Sequence, residues 1–159
     1  MEGRYCRLEP LDPARHAEEL FSAYALDKDG RDWTYLPYGP FGSLAEYRGW
    51  METTCQASDP AFFGTGYIFF AILDKPTNKP LGIASYCRIT PAVGCIEVGG
   101  IHYSPRLKRS PIATEAMFLM MKNVFELGYR RYEWKCDSLN APSRAAAQRL
   151  GFSYEGIFR

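Results

Sequence analysis

Several residues in this sequence have the types and spacing to do chemistry. Glu97 and His102 lie in the otherwise apolar run CIEVGGIHYS. Partial burial pushes a carboxylate toward its neutral form, which suits a general base working near neutral pH. His102 is the competing base, although a single strand histidine more often fills a core or surface position. Period-two alternation puts the two on opposite faces of a strand unless a bulge intervenes, so a simple pair is not expected. Further on, Arg106, Lys108 and Arg109 crowd against Pro111 in SPRLKRSPIATEAM. A helix start presents unpaired N–H groups and a positive dipole end, and Lys108 and Arg109 would strengthen that anion site. Taken by themselves they read equally as a solvated basic corner.

Asn140 and Ser143 open the run NAPSRAAAQRLGF, where they are ordinary cap residues and also polar groups at a helix mouth. Trp33, Tyr35, Tyr38 and Phe41 sit in DWTYLPYGPFG, where they wall an apolar cleft or simply cover the core. Cys95 and Cys136 raise the question of a nucleophilic thiol. Neither has a base or activating cation beyond ordinary strand neighbours, so small apolar packing is the expected role.

Those residues need elements to hold them. A short first strand over residues 4–9 precedes a helix that Asp12 caps and Pro13 opens. The Pro-, Gly- and aromatic-rich segment 32–42 is a loop, and the Ser43 and Glu46 spacing of a capping box starts a second helix. Strand patterns follow from residue 66, residue 80 and residue 94, the first two joined by the turn-rich KPTNK as an antiparallel meander. A helix from Pro111 to Leu127 ends at Gly128, a strand starts at residue 130, and a helix from Asn140 to Leu150 ends at Gly151. FSYEGIF reads as a last strand. Phe118 and Leu119 fall on the polar face of the Pro111 helix, so either a cover is expected over both, from a partner subunit as in a homodimer, the aromatic loop or another helix, or the face is simply a leaky surface.

The chain has 159 residues, 47% of them apolar, which suits one ordinary domain, and a net charge of +1. That balance argues against a dedicated nucleic-acid binder or a polybasic membrane protein. Five cysteines without a CxxC pair or a Cys/His metal spacing are expected to stay reduced in the cytosol, with no metal.

Taken together, Lys108-Arg109-Ser110-Pro111-Ile112-Ala113, the following ATEA, and N-x-x-S…LGF…EG from Asn140 to Gly156 resemble the GNAT superfamily of acyl-coenzyme A N-acyltransferases, in its RimJ/RimL-like branch. The resemblance implies an α/β (α+β) fold: a mixed, mostly antiparallel central sheet flanked by helices. It implies acetyl-CoA as co-substrate and a primary amine as acceptor, with a protein N-terminal α-amine favoured. The rivals are a small-molecule amine, such as an aminoglycoside or an aminoacyl conjugate, and a coenzyme A binding module without catalysis.

By the same resemblance the amides of Arg109, Ser110, Ile112, Ala113 and Thr114 would bind the pyrophosphate. Backbone groups of Ile101, His102 and Tyr103 would pair with the pantetheine arm as an added strand would. Asn140 and Ser143 would face the thioester. Many members carry a tyrosine where this chain has Ala147, so Ser143 is the expected hydroxyl beside the leaving thiolate. Pro111 stands where the family's loop carries glycine, which removes one N–H and stiffens the turn at the first helical position. The family's seventh strand has no counterpart before Arg159, so a C-terminally truncated domain is expected.

Overall fold

The computed structural model describes residues 1–56 and 66–158. Strand β1 (Cys6–Pro10) leads into helix α1 (Pro13–Tyr24), then helix α2 (Leu44–Gln56). Strands β2 (Ile68–Asp74), β3 (Lys79–Thr90) and β4 (Cys95–Tyr103) follow, then helix α3 (Pro111–Glu126), strand β5 (Arg131–Trp134) and helix α4 (Ala141–Arg149). Among the described residues they build one five-stranded sheet in chain order, antiparallel from β1 to β4 and parallel between β4 and β5.

Local chemistry accounts for the boundaries. Asp12 accepts hydrogen bonds from the amides of Ala14 (2.8 Å) and Arg15 (3.4 Å), and Pro13 supplies a helical φ without wasting a donor. Ser43 accepts from the Glu46 amide at 3.2 Å while the Glu46 carboxylate reaches back to the Gly42 amide at 2.8 Å. Gly128 and Gly151 follow α3 and α4 in left-handed conformations that favour glycine.

The two faces of the sheet are buried separately. Helix α3 lays Ala113, Ala116, Met117, Met120 and Val124 against Cys6, Leu8, Ile72, Ala84, Ile96 and Val98. Each large apolar side chain so buried contributes about 1.5–3 kcal/mol. Helices α1 and α2 cover the other face with Leu20, Tyr24, Tyr47 and Met51, against Phe69, Ala71 and Ile83.

Glu115 of the ATEA run has a structural task. Its carboxylate accepts from the amides of Arg4 (2.8 Å), Tyr5 (2.7 Å) and Cys6 (2.8 Å), tying the N-terminal segment to α3. A side chain at Gly3 would run into it, with a Cβ only 2.4 Å from the Glu115 Cδ.

Two expectations need correction. Residues 152–158 form no strand. Phe152 finds apolar partners in the rings of Tyr132 and Trp134, each with centroids 5.5 Å away, whereas Tyr154, Ile157 and Phe158 stay exposed. That much burial does not repay the entropy of ordering the run as a strand. On α3, Leu119 is not left bare, because it packs against the core while Phe118 faces outward.

Candidate active site

Strand β4 carries an extra residue opposite Ala84. The register pairs Ser85 with Gly99 and Ile83 with His102, so two residues on β3 span three on β4. Gly100 absorbs the bulge at φ +56°, where a Cβ would lie 2.7 Å from the Phe69 ring. The consequence corrects the sequence reading: Glu97 opposes Cys87 and His102 opposes Ile83, which puts both on the α1/α2 face.

They differ sharply there. Glu97 is buried, and Arg88 Nη1 donates to its two oxygens at 2.8 and 2.7 Å while Lys135 Nζ donates to Oε2 at 2.5 Å. Lys135 also holds Glu133, the residue opposite Glu97 on β5. The expected apolar setting is therefore a charged one. His102 is 2% exposed, stacks on Tyr24 with ring centroids 3.8 Å apart, meets the edge of Trp33, and has no partner for either ring nitrogen among the described residues. Burial first, then the Lys108 charge, pulls its imidazole down to about 3. So weak a proton acceptor is disfavoured as the competing base.

The aromatic loop covers this face beside the bulge. Trp33, Tyr38 and Phe41 join the core over α1 and α2, and the Tyr38 hydroxyl donates to the Gly100 carbonyl at 3.3 Å. Tyr35 alone stands 46% exposed. Three of the four expected acceptor-cleft residues are thus fixed by packing.

The strands part just beyond Glu97. Pairing with β5 runs from Cys95 to Val98, whereas β4 continues to Tyr103. Ser104 donates to the Leu81 carbonyl at 3.0 Å, so by alternation the polar groups of Tyr103 and Ile101 face the parted edge and those of His102 face β3. The Tyr103 hydroxyl and Ser104 Oγ are buried without a partner among the described residues.

On the α3/α4 side of this gap, Asn140 Oδ1 caps α4 by accepting from the Ser143 amide at 3.1 Å. Ser143 Oγ accepts from the Trp134 indole at 2.9 Å. Because indole only donates, the serine proton is left to be given elsewhere. Glu97 and Ser143 therefore lie on opposite faces of the sheet, at the place where β4 and β5 separate.

Before α3 the amides of Ala113 and Thr114 are already taken, by Ser110 Oγ at 3.2 Å and by the Ser110 carbonyl at 3.4 Å. Those of Arg109, Ser110 and Ile112 donate to nothing among the described residues. Arg109 is exposed in a left-handed conformation, φ +56°. Lys108 is not free to meet an anion as expected, because it is paired with Asp32 of the aromatic loop.

Residues 6–153 match the family model described as Acetyltransferase (GNAT) domain. The chain belongs to the GNAT acetyltransferase family. A GCN5-related N-acetyltransferase from Brucella melitensis is 46% identical with a TM-score of 0.90, over 99% of this chain and 69% of that one. A protein described as a probable acetyltransferase (GNAT family) from Chromobacterium violaceum is 42% identical with a TM-score of 0.86, over 98% and 74%. An acetyltransferase from Salmonella typhimurium that modifies the N-terminal serine of ribosomal protein L7/L12 is 21% identical with a TM-score of 0.77, over 97% and 84%, and shares the fold. No curated protein matches the chain. The acetyl-CoA that a GNAT acetyltransferase uses fits what is here: a parted strand edge, and buried hydroxyls and helix-mouth amides that have no partner among the described residues.

Sequence reasoning missed Arg88, Lys135, Trp134 and Asp32. A charge breaking the apolar run SYCRIT and the Glu133–Lys135 spacing in YEWKCD were the signals for the first two. No sequence signal marked the Trp134–Ser143 bond.

Proposed function

We propose that this GNAT acetyltransferase moves the acetyl group of acetyl-CoA to a primary amine by direct attack within a ternary complex, with a protein N-terminal α-amine as the favoured acceptor. The placement of Glu97 and Ser143 on opposite faces of the sheet, where β4 and β5 part, carries this reading. Acetyl-CoA supplies an activated thioester carbonyl and a thiolate leaving group. The open amides of Arg109, Ser110 and Ile112 hold the pyrophosphate, helped by the Arg109 charge, and Ile101 and Tyr103 pair with the pantetheine amides.

Glu97 takes the proton that makes the amine a nucleophile, and the Ser143 hydroxyl donates a hydrogen bond that positions and stabilises the departing thiolate. An α-amine with a pKa of about 8 costs about 1.4 kcal/mol to deprotonate at pH 7, against about 4.6 for a lysine near 10.4. A carboxylate already shared with two cations suits the smaller task. The ATEA run and the N-x-x-S…LGF…EG pattern place the chain beside the RimJ/RimL-like branch, which agrees with a peptide terminus. The free thiols suit a reducing, cytoplasmic setting.

Mass spectrometry after incubation with acetyl-CoA and a panel of peptides, polyamines and aminoglycosides tests the reading. A mass gain of one acetyl group on peptide α-amines is expected. Gain only on the small molecules overturns the peptide acceptor, and no gain on any amine overturns the transfer.

A further inference from the structure

The ion pairs around Glu97 say more than that it is charged. Glu97 and Glu133 are direct neighbours across the parallel β4–β5 ladder, on the same face, where two carboxylates repel. Lys135 bridges them. Arg88 on one side and Arg131, which also binds Glu155, on the other complete a set of three carboxylates and three cations. Lys135 and Arg131 hold the Glu133 carboxyl down to about 2. Burial works against the Lys135 ammonium, but Glu133 and Glu97 outweigh it and raise its pKa.

Lys135 differs from the other members in two ways. It is the first residue after β5 and after the paired ladder, which stops at Val98 and Trp134, so it stands at the parting of the strands. Its ammonium is a compact point charge on a flexible four-carbon stem, whereas the planar Arg88 guanidinium, though more exposed, holds both Glu97 oxygens through Nη1. A primary ammonium resting on a buried carboxylate beside the parting is also what an acceptor amine must become before it loses its proton.

The geometry points to Lys135 as a positioning residue that occupies the seat of the acceptor ammonium: the incoming amine displaces it from Glu97 one cation for another. The exchange leaves the charge of the cluster unchanged. A neutral acceptor would leave Glu97 and Glu133 short of a cation, so the device selects amines that arrive protonated. Displacement also exchanges the Lys135 contact on Glu97 Oε2 for the acceptor while Arg88 keeps its own, so the base meets the amine when the acceptor is in place. The inference rests on the proposed transfer to a primary amine and names how that acceptor is recognised.

Calorimetric titration with tetra-alanine amide, with coenzyme A present, tests it, using the N-acetylated peptide as control. Lys135→Met removes the internal competitor and should bind the free-amine peptide more tightly by about five-fold, the factor a partly exposed ion pair commands. The control peptide should gain nothing. Lys135→Arg keeps a cation with a firmer grip and should bind the free-amine peptide more weakly than the wild type. In turnover, the amine KM should fall in Lys135→Met while the acetyl-CoA KM stays unchanged. Lys135→Gln, expected to act in the same direction, replaces the methionine variant should that one not fold.

Equal or weaker binding by the uncharged variants, tightening for both peptides, or no binding of the free-amine peptide by any form overturns the inference. A wild type that acetylates peptides while the variants fail to tighten retains the transfer and sinks the role of Lys135. A wild type that acetylates no amine sinks the transfer, and the titration still decides Lys135.

Discussion

His102 shows what one buried imidazole does to a protein's response to acid. Its folded pKa of about 3 lies far below the ordinary 6.5, chiefly because burial penalises the charged form. Below about pH 6.5 the unfolded chain takes up a proton that the folded one refuses until about pH 3. The contribution of this residue is therefore complete above pH 6.5 and lost as pH falls toward 3. In urea unfolding, the stability difference between wild type and His102→Phe should shift by about 1.4 kcal/mol per pH unit from pH 6 to 4, against the wild type. Parallel curves would show that the ring takes a proton without unfolding. Ser143 is a second residue with a single readable task. Ser143→Ala leaves the Trp134 indole without its acceptor and removes the hydrogen bond proposed to the departing thiolate. Loss of a hydrogen bond to charge that develops in the transition state lowers kcat by about 100-fold, with much less effect on the acetyl-CoA KM. Unchanged turnover rejects the role.

Glu115 links two elements that are far apart in sequence. Burial opposes its charge, yet the amides of Tyr5, Cys6 and Arg4 outweigh that and hold the carboxyl below its usual range. Glu115→Ala should cost roughly 1–2 kcal/mol and speed hydrogen exchange at those three amides, because their acceptor is gone. Unchanged exchange there would mean that the first strand holds its entry segment without α3. Elements of this kind were legible where local chemistry decides them. Asp12 with Pro13, Ser43 with Glu46, and Gly128 and Gly151 carry their caps within a few residues, and the structure uses each as read. The Gly100 bulge was not legible, since an extra strand residue is defined only by the partner strand opposite it, and with it went the true relation of Glu97 to His102. FSYEGIF has the alternation of a strand, but alternation does not supply a neighbour to bury against. Lys108 looked free because Asp32 lies 76 residues away along the chain. The candidate site was thus readable in its residue types and unreadable in its pairings, which are made across the sheet.

At the scale of the whole molecule, the proposed mechanism divides the reactants between the two faces of the sheet. The groups proposed to bind acetyl-CoA lie at the α3 mouth and along the parted β4 edge, and Glu97 with its cations faces α1 and α2. Neither reactant then needs to leave before the other arrives, and both meet where β4 and β5 separate. A covalent relay would need a reactive thiol at that place. Burial pushes the Cys87 thiol up to about 12, and burial also raises Cys95, which disfavours the thiolate each would need. Cys136 is exposed, just after Lys135, and is the remaining thiol near the parting. Initial rates measured over a grid of acetyl-CoA and acceptor concentrations should give intersecting reciprocal plots, as a ternary complex requires. The same pattern, with kcat within about two-fold of wild type, is expected of a Cys95→Ala, Cys136→Ser double variant, since neither thiol is asked to carry the acetyl group. Parallel plots in the wild type, with activity lost in the double variant, would move the acetyl group through a cysteine and overturn direct attack.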